Sequence, residues 1–237
     1  MELPRYPRPV REIHQIEVSS RCNLHCKYCP SPKLDVAPEN GGHGRAKIDM
    51  PWATWEQALR LVKHYCDSGT QGELALTGIG EALLHPRFVD MVASAREIIG
   101  PSRALTFSTN GLLLDDKLCE KLKPYRPDIY VSLHRPEKAG PAIEAARRAG
   151  LLAGTNVSAA TSSFNWAGQL KWQVSAPKIL CEYLNVGWAV VLSDGRVTTC
   201  CLDASGVGGV GTVWDDPRSL FLKPYVLCKT CHMEVPQ

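Results

Sequence analysis

Short apolar runs alternate along most of the chain with segments whose apolar side chains recur every three to four residues. The runs are typical of strands buried on both faces, and the spaced segments are typical of amphipathic helices. Such alternation predicts βα units and therefore an α/β fold with a largely parallel sheet. The expected strands are Glu12–Val18, Glu73–Thr77, Ala104–Ser108, Asp128–Leu133 and Thr155–Ala160. The expected helices that follow the second, third and fourth strands are Arg87–Ile98, Asp115–Leu122 and Gly140–Ala149.

The helix before the second strand has the clearest pattern. Thr54 followed by Gln57 predicts a capping box at its start. Its apolar side chains form one stripe, made of Trp55, Leu59, Val62 and Cys66. Cys66, and Cys119 in a later helix, are therefore expected to be core residues and not ligands.

Two segments depart from the alternation. The polar, Gly- and Pro-rich stretch Ser31–Met50 is expected to be a surface excursion without a core face, able to act as a lid. Near residue 165 the chain becomes polar and aromatic, and beyond it two apolar runs flank Ser193-Asp194-Gly195, a hairpin signal. We therefore expect a main domain over residues 1–165 and a small β-rich domain over residues 166–237.

Composition limits the functional classes. The chain has 237 residues, 44% of them apolar, and a formal net charge of +3, which is too small to indicate nucleic-acid binding and does not forbid it. No stretch approaches the roughly 18 apolar residues that a membrane span needs, so a cytoplasmic protein without a membrane partner is expected. Because the cytosol keeps thiols reduced, its ten cysteines indicate metal or cluster ligation more than disulfides.

Three cysteines follow the first predicted strand at the spacing C-x₃-C-x₂-C, as Cys22, Cys26 and Cys29. Three thiolates on one loop can hold three irons of a cubane and leave the fourth iron open to an outside ligand. The alternative is half of a zinc site, with His25 or another cysteine as a further ligand.

This spacing, with the aromatic Tyr28 before the third cysteine, resembles the radical S-adenosylmethionine (SAM) superfamily. The resemblance implies a partial (β/α)₆ TIM-like barrel and a [4Fe–4S] cluster whose open iron binds SAM. Gly78, Gly80 and Glu81 stand where the family has a Gly-Gly-Glu-Pro motif that contacts SAM. This sequence departs from that motif at two positions, with Ile79 between the glycines and Ala82 in place of proline.

Later strand ends carry further polar residues that the resemblance assigns to SAM. Ser108 and Asn110 lie in Phe107-Ser108-Thr109-Asn110-Gly111, and an Asn-Gly turn is the structural alternative there. Ser132 and Ser158 are expected on the next two strands. Ligands bind at the carboxyl edge of a parallel sheet, which agrees with this order of motifs.

A second set of cysteines lies in the last third of the chain, as Cys181, Cys200, Cys228 and Cys231. The layout resembles the twitch (SPASM-like) region that follows some radical SAM cores and holds one auxiliary [4Fe–4S] cluster. Cys201 is the alternative to Cys200, because adjacent strand residues point to opposite sides. Four thiolates also suit structural zinc.

The resemblance implies hydrogen abstraction from a substrate C–H bond by a 5′-deoxyadenosyl radical. Within the twitch group the chain resembles a dehydrogenase that oxidises an aminocyclitol alcohol. We therefore expect two-electron oxidation of a small polar molecule, with flavodoxin or ferredoxin as reductant. Peptide or nucleotide modification, or a non-enzymatic iron–sulfur or zinc module, are alternatives.

His134 is the expected general base. The structural alternative is a histidine at a strand end that only bonds to the backbone. Asn165 and Trp166 are expected to face substrate, although Trp166 also suits packing between domains.

Overall fold

The computed structural model describes residues 6–156, 166–170 and 179–235. Four α-helices lie within these ranges: α1 Trp52–Asp67, α2 Phe88–Ile99, α3 Asp116–Leu122 and α4 Pro136–Ala149. The strands before residue 157 are β1 Arg8–Pro9, β2 Glu12–Ile16, β3 Glu73–Ala75, β4 Ala104–Thr109, β5 Asp128–Ser132 and β6 Leu152–Asn156. Those after residue 178 are β7 Ile179–Leu180, β8 Trp188–Val191, β9 Arg196–Thr198, β10 Gly209–Thr212, β11 Phe221–Leu222 and β12 Met233–Glu234.

Eight strands form the main sheet in the order β10-β9-β8-β2-β3-β4-β5-β6. The strands from β8 to β6 in that order run parallel, while β9 and β10 are antiparallel. Helices cover the parallel part, and the side chains of Ile13, Leu74 and Ile129 are fully buried in it. The predicted α/β fold with a parallel, barrel-like sheet is confirmed, and its strands end at one common edge.

Helix α1 begins earlier than the sequence pattern predicts. Its first residue is Trp52, and Pro51 precedes it without a side-chain capping bond. Thr54 therefore lies inside the first turn, where it is buried, so the predicted capping box is wrong. The apolar stripe is correct, since Trp55, Leu59 and Val62 are buried in the core.

The predicted fifth strand is displaced toward the N-terminus. Gly150 ends α4 in the left-handed conformation, with φ of 72°. The chain can therefore turn at once, and β6 starts at Leu152 and not at Thr155. Its predicted end, residues 157–160, lies outside the described residues.

The excursion over residues 31–50 has a buried face, contrary to the sequence prediction. Leu34, Arg45 and Met50 are almost completely buried. Leu34 packs with Ile79 and Ala204, which belong to other parts of the chain. The segment is thus fixed to the protein by apolar contacts and by an ion pair described below.

The β8–β9 hairpin forms as predicted around Ser193-Asp194-Gly195, but it extends the main sheet. Strand β8 pairs parallel with β2, on the edge of β2 that does not pair with β3. One sheet therefore runs through both predicted domains, and the division near residue 165 stays a prediction. No helix among the described residues is long and apolar enough to cross a membrane.

Candidate active site

A cavity of about 170 Å³ lies at the edge where the parallel strands end. Loops after β2 and β3 and the ends of β4 and β5 contribute its walls. Twelve residues selected from the sequence line it together: Cys22, Cys26, Tyr28, Cys29, Gly78, Gly80, Glu81, Ser108, Asn110, Ser132, His134 and Trp166. The topology has thus brought distant motifs to one site.

The cysteine loop presents its thiols to this cavity. The Leu24 N–H points to Sγ of Cys22 at 3.4 Å, and the Ser31 N–H points to Sγ of Cys29 at 3.5 Å. Burial raises the pKa of Cys22, and it raises the pKa of Cys29 to about 12. Thiolates at such positions are favoured only when positive charge is close by, and bound iron supplies such charge.

Glu81 is buried at the back of the cavity with its carboxylate fully engaged. Oε1 accepts hydrogen bonds from the Thr109 hydroxyl at 2.7 Å and from the Leu83 N–H at 3.2 Å. Oε2 accepts from the Asn110 N–H at 2.7 Å. Burial raises the pKa of Glu81, while these three donors lower it. The residue joins the loop after β3 to the end of β4.

The two glycines of this loop are required by close packing against β2 and its extension. A Cβ on Gly80 would lie 2.2 Å from the carbonyl oxygen of Ser19, and one on Gly78 would lie 2.3 Å from Cγ of Glu17. The sequence interpretation assigned these glycines to the approach of SAM. The structure gives a packing reason for them as well.

We expect Gly80→Ala to destabilise the fold by about 1–3 kcal/mol, because its Cβ meets a backbone oxygen that cannot rotate away. The matched control is Gly140→Ala in α4, where nothing lies within 4 Å of the added methyl group. This control should stabilise the protein by about 0.5–1 kcal/mol. Urea unfolding of both variants measures the difference, and equal effects would contradict the packing argument.

Polar groups from successive strand ends meet beside Glu81. Asn110 donates from Nδ2 to Oδ1 of Asn23 at 2.7 Å, which ties the end of β4 to the cysteine loop. Asn156 at the end of β6 donates to the Ser108 hydroxyl at 3.3 Å. Ser132 also lines the cavity. These groups offer hydrogen-bond donors and acceptors to a polar ligand.

Tyr28, His134 and Trp166 form the remaining wall. The Tyr28 hydroxyl lies 3.2 Å from Nδ1 of His134, and Nε1 of Trp166 donates to the Tyr28 carbonyl at 3.0 Å. Burial raises the pKa of Tyr28 to about 12 and lowers the pKa of His134. His134 is therefore neutral at neutral pH and able to accept a proton. Trp166 also packs against Leu34 and its neighbours, and its expected role toward substrate stays a prediction.

A second cavity, of about 180 Å³, contains the C-terminal cysteines. Cys181, Cys200, Cys228 and Cys231 all line it, together with Cys201. Among the described residues, no three Cys, His, Asp or Glu side chains converge closely enough to hold a single metal ion. The thiols of these cysteines therefore lie around the second cavity.

The two cysteine sets share a local backbone geometry. In each set, a thiol accepts the N–H of the residue two positions later. This contact is seen at Cys22, Cys29, Cys200 and Cys231, from Leu24, Ser31, Leu202 and Met233. Such N–H···S bonds stabilise thiolate ligands and tune iron–sulfur clusters.

The sequence of this region matches a known protein family. The model of the radical SAM superfamily matches residues 16–153, which contain the cysteine loop, the glycine loop and β3 to β5. The chain belongs to the radical SAM superfamily.

Several curated relatives share about half of this radical SAM chain. Molybdenum cofactor biosynthesis protein 1 of Bos taurus is 34% identical over 119 residues, or 50% of this chain and 17% of the relative. The tungsten-containing aldehyde ferredoxin oxidoreductase cofactor-modifying protein of Pyrococcus furiosus is also 34% identical over 119 residues, covering 50% and 29%. GTP 3′,8-cyclase of Streptomyces coelicolor is 30% identical over 151 residues, covering 58% and 41%. The chain therefore spans less than half the length of these relatives.

Solved structures share the fold over most of the chain. BtrN in complex with AdoMet and 2-DOIA has a TM-score of 0.68 at 22% identity, covering 87% of this chain and 79% of that one. The structure of anSMEcpe with bound AdoMet has a TM-score of 0.60 at 14% identity, covering 86% and 78%.

Radical SAM proteins use a [4Fe–4S] cluster together with SAM, and the first cavity fits that pair. Its three thiols lie on one loop, N–H groups point to two of them, and polar strand ends stand beside them. Two other expected residues, Ser158 and Asn165, lie outside the described residues. Cys66 and Cys119 pack with the core, as expected.

Sequence reasoning missed a buried ion pair next to this radical SAM site. Nη1 of Arg45 lies 2.5 Å from Oε1 of Glu17, and Nη2 lies 2.9 Å from Oε2. The Glu17 carboxylate also accepts the N–H groups of Ile79 and Ser193. Burial alone would lower the pKa of Arg45, but Glu17 raises it overall. The only signal in the sequence is a glutamate inside an apolar strand, which does not identify its partner.

Proposed function

We propose that this chain holds two [4Fe–4S] clusters and oxidises a small polar alcohol or amine by two electrons. Cys22, Cys26 and Cys29 would hold the cluster that binds SAM. The auxiliary cluster would be held by four thiols: Cys181, Cys200, Cys228 and Cys231. The observation that carries this proposal is the presence of two separate cysteine-lined cavities, one with three expected ligands and one with four.

The difference in ligand number assigns different tasks to the two clusters. A cluster with three thiolates leaves one iron for SAM, whereas four thiolates leave no iron open to substrate. A cluster held by Cys22, Cys26 and Cys29 with bound SAM would supply the chemistry that removes one hydrogen atom from a substrate carbon. A cluster held by the four C-terminal thiols would supply an acceptor for the electron that remains. The hydroxyl or amine proton then needs a base, and the product is a carbonyl or an imine.

His134 is suited to accept that proton. Burial lowers its pKa, so the imidazole is neutral at neutral pH. Its Nδ1 lies 3.2 Å from the Tyr28 hydroxyl. Lowering the pH through this lowered pKa would protonate the ring and remove the base.

Cys200 is favoured over Cys201 as the ligand. The Leu202 N–H points to the Cys200 sulfur at 3.3 Å, the same contact that Leu24 makes with Cys22. The Cys201 thiol interacts with the Cys200 thiol and with the Tyr183 hydroxyl. The four selected cysteines also surround a space, as a cubane requires, and do not converge on one point as they would around zinc.

Removing the second ligand set tests the proposal. In a Cys181/Cys200/Cys228/Cys231→Ala variant, we expect iron to fall from about eight to about four per chain while 5′-deoxyadenosine still forms from SAM under dithionite. Cys201→Ala is the matched control and should keep about eight irons. Unchanged iron in the quadruple variant would contradict a second cluster.

Nucleotide modification is the second candidate. It is favoured by the 30% identity over 151 residues to a GTP 3′,8-cyclase. Peptide modification has support only in fold likeness to anSMEcpe, whose bound-peptide structure has a TM-score of 0.57. Adding GTP, a peptide mixture or an aminocyclitol to the reconstituted protein distinguishes the three candidate reactions, because only a true substrate raises 5′-deoxyadenosine above the level formed without substrate.

Flavodoxin or ferredoxin as reductant, and the cytoplasmic location, stay predictions.

A further inference from the structure

Tyr225 places a buried hydroxyl in the second cavity. The residue precedes a short 3-10 turn, Val226–Lys229, that carries Cys228. Its hydroxyl oxygen is shielded from solvent and makes no hydrogen bond of standard geometry among the described residues. A buried hydroxyl without a hydrogen-bond partner destabilises the fold, so such a group calls for an acceptor.

The backbone and ring of Tyr225 are held firmly. Its N–H points to Sγ of Cys228 at 3.5 Å, and its carbonyl accepts the Cys228 N–H at 3.0 Å. The ring lies against the backbone of Gly208, where an added Cβ would come within 2.6 Å of Cζ. Gly208 is itself fixed, since its N–H donates to Asp203 at 2.7 Å. The hydroxyl therefore has little freedom to turn toward another acceptor.

The thiol of Cys200 lines the same cavity as this hydroxyl and interacts with it. The Cys200 sulfur already accepts the Leu202 N–H, so the hydroxyl would be its second donor.

A second tyrosine in the same cavity faces a different cysteine. Tyr183 is half-buried, and its hydroxyl interacts most with Cys201 and less with Cys200 and Cys181. Its ring is held edge-on by Trp188, with ring centroids 5.7 Å apart. The hydroxyl of Tyr183 interacts directly with Cys201 and that of Tyr225 with Cys200, so Tyr183 is the matched control for Tyr225.

We propose that the Tyr225 hydroxyl donates a hydrogen bond to Sγ of Cys200 when that sulfur ligates the auxiliary cluster, and thereby raises the reduction potential of that cluster. This inference rests on the function proposed above. A donor to a ligating sulfur stabilises the reduced cluster, which carries the more negative charge. Tyr225 is thus a positioning and tuning residue that favours electron uptake, and it need not touch substrate.

Redox titration followed by electron paramagnetic resonance tests this role in the holoenzyme. We expect Tyr225→Phe to weaken electron uptake by the auxiliary cluster on the order of tenfold, which is about 59 mV for one electron. The potential of the SAM-binding cluster should not change. Tyr183→Phe, which removes the hydroxyl beside Cys201, should leave both potentials unchanged.

Each other result contradicts the inference in a recognisable way. An unchanged auxiliary potential in Tyr225→Phe would overturn it. A shift in Tyr183→Phe alone would overturn it too, and would identify Cys201 as the ligand. A wild-type protein with one cluster would instead remove the proposed function on which the inference depends.

A second measurement covers the case in which Tyr225→Phe loses its cluster. Global replacement of tyrosine by 3-fluorotyrosine in the Tyr183→Phe background keeps the ring and makes the hydroxyl a stronger donor. The auxiliary potential should then rise relative to unlabelled Tyr183→Phe. No rise, or a fall, would overturn the inference.

Discussion

The Cys22/Cys26/Cys29→Ala variant is expected to form no 5′-deoxyadenosine from SAM under dithionite, while the wild-type protein forms it continuously. The three thiols share one loop and one cavity, and within the described part of the chain no other cysteine lines that cavity. Without them the SAM-binding cluster has no ligands, so the radical cannot be made. Chromatography of the quenched reaction measures the nucleoside directly.

The matched control for this variant is Cys66→Ala. Cys66 lies in α1 and packs against the core, away from both cavities. It should retain cleavage at the wild-type rate. Continued cleavage in the triple variant would remove the assignment of the first cavity.

Glu17→Gln is expected to lower the free energy of unfolding by about 3–5 kcal/mol, because it leaves the Arg45 guanidinium buried without a counter-charge. The side chains of Glu17 and Arg45 are 1% and 2% exposed. The pair also joins five parts of the chain, since Ile79 and Ser193 donate to Glu17 and Nε of Arg45 donates to the Ala204 carbonyl. Thermal and urea unfolding of the apo and reconstituted proteins measure the loss.

The control for the ion pair is Asp67→Asn. Asp67 pairs with Lys63 on the exposed face of α1 at 3.0 Å, and such surface pairs contribute less than about 1 kcal/mol. A double variant, Glu17→Met with Arg45→Met, should recover part of the stability lost in Glu17→Gln, because no buried charge remains. Equal losses for Glu17→Gln and Asp67→Asn would contradict the structural role of the buried pair.

The sequence was sufficient for the parallel sheet and for the contents of the first cavity. Apolar runs such as Ile129–Val131 identify buried strands, and parallel strands end at one edge, so motifs far apart in sequence meet there. The resemblance to the radical SAM superfamily indicated Cys26, Glu81 and Asn110, and the end of a predicted strand indicated His134; all four line one cavity. Local pattern and global topology agree at these positions.

The sequence was insufficient where long-range contacts decide. The Thr54 capping box failed because α1 starts at Trp52, where no side-chain cap marks its beginning. The excursion over residues 31–50 looked fully exposed, since its few apolar residues show no period. Its buried partners, such as Ala204, lie more than 150 residues away from Leu34 in the sequence.

The β8 hairpin carries the same lesson. Its sequence predicted two strands and a turn correctly, yet nothing local indicated that β8 would lie beside β2 as a sixth parallel strand. The pairing places the second cysteine cavity on the same sheet as the first. The Glu17 carboxylate, which accepts the Ser193 N–H of the hairpin, links the two regions at this junction.

The most direct test of two clusters with separate roles is Mössbauer spectroscopy of the ⁵⁷Fe-reconstituted wild-type protein, with and without SAM. We expect about eight irons per chain in cubane clusters, with SAM changing the signal of one iron of one cluster and leaving the other cluster unchanged. About four irons together with bound zinc, or two clusters of which neither responds to SAM, would contradict this account.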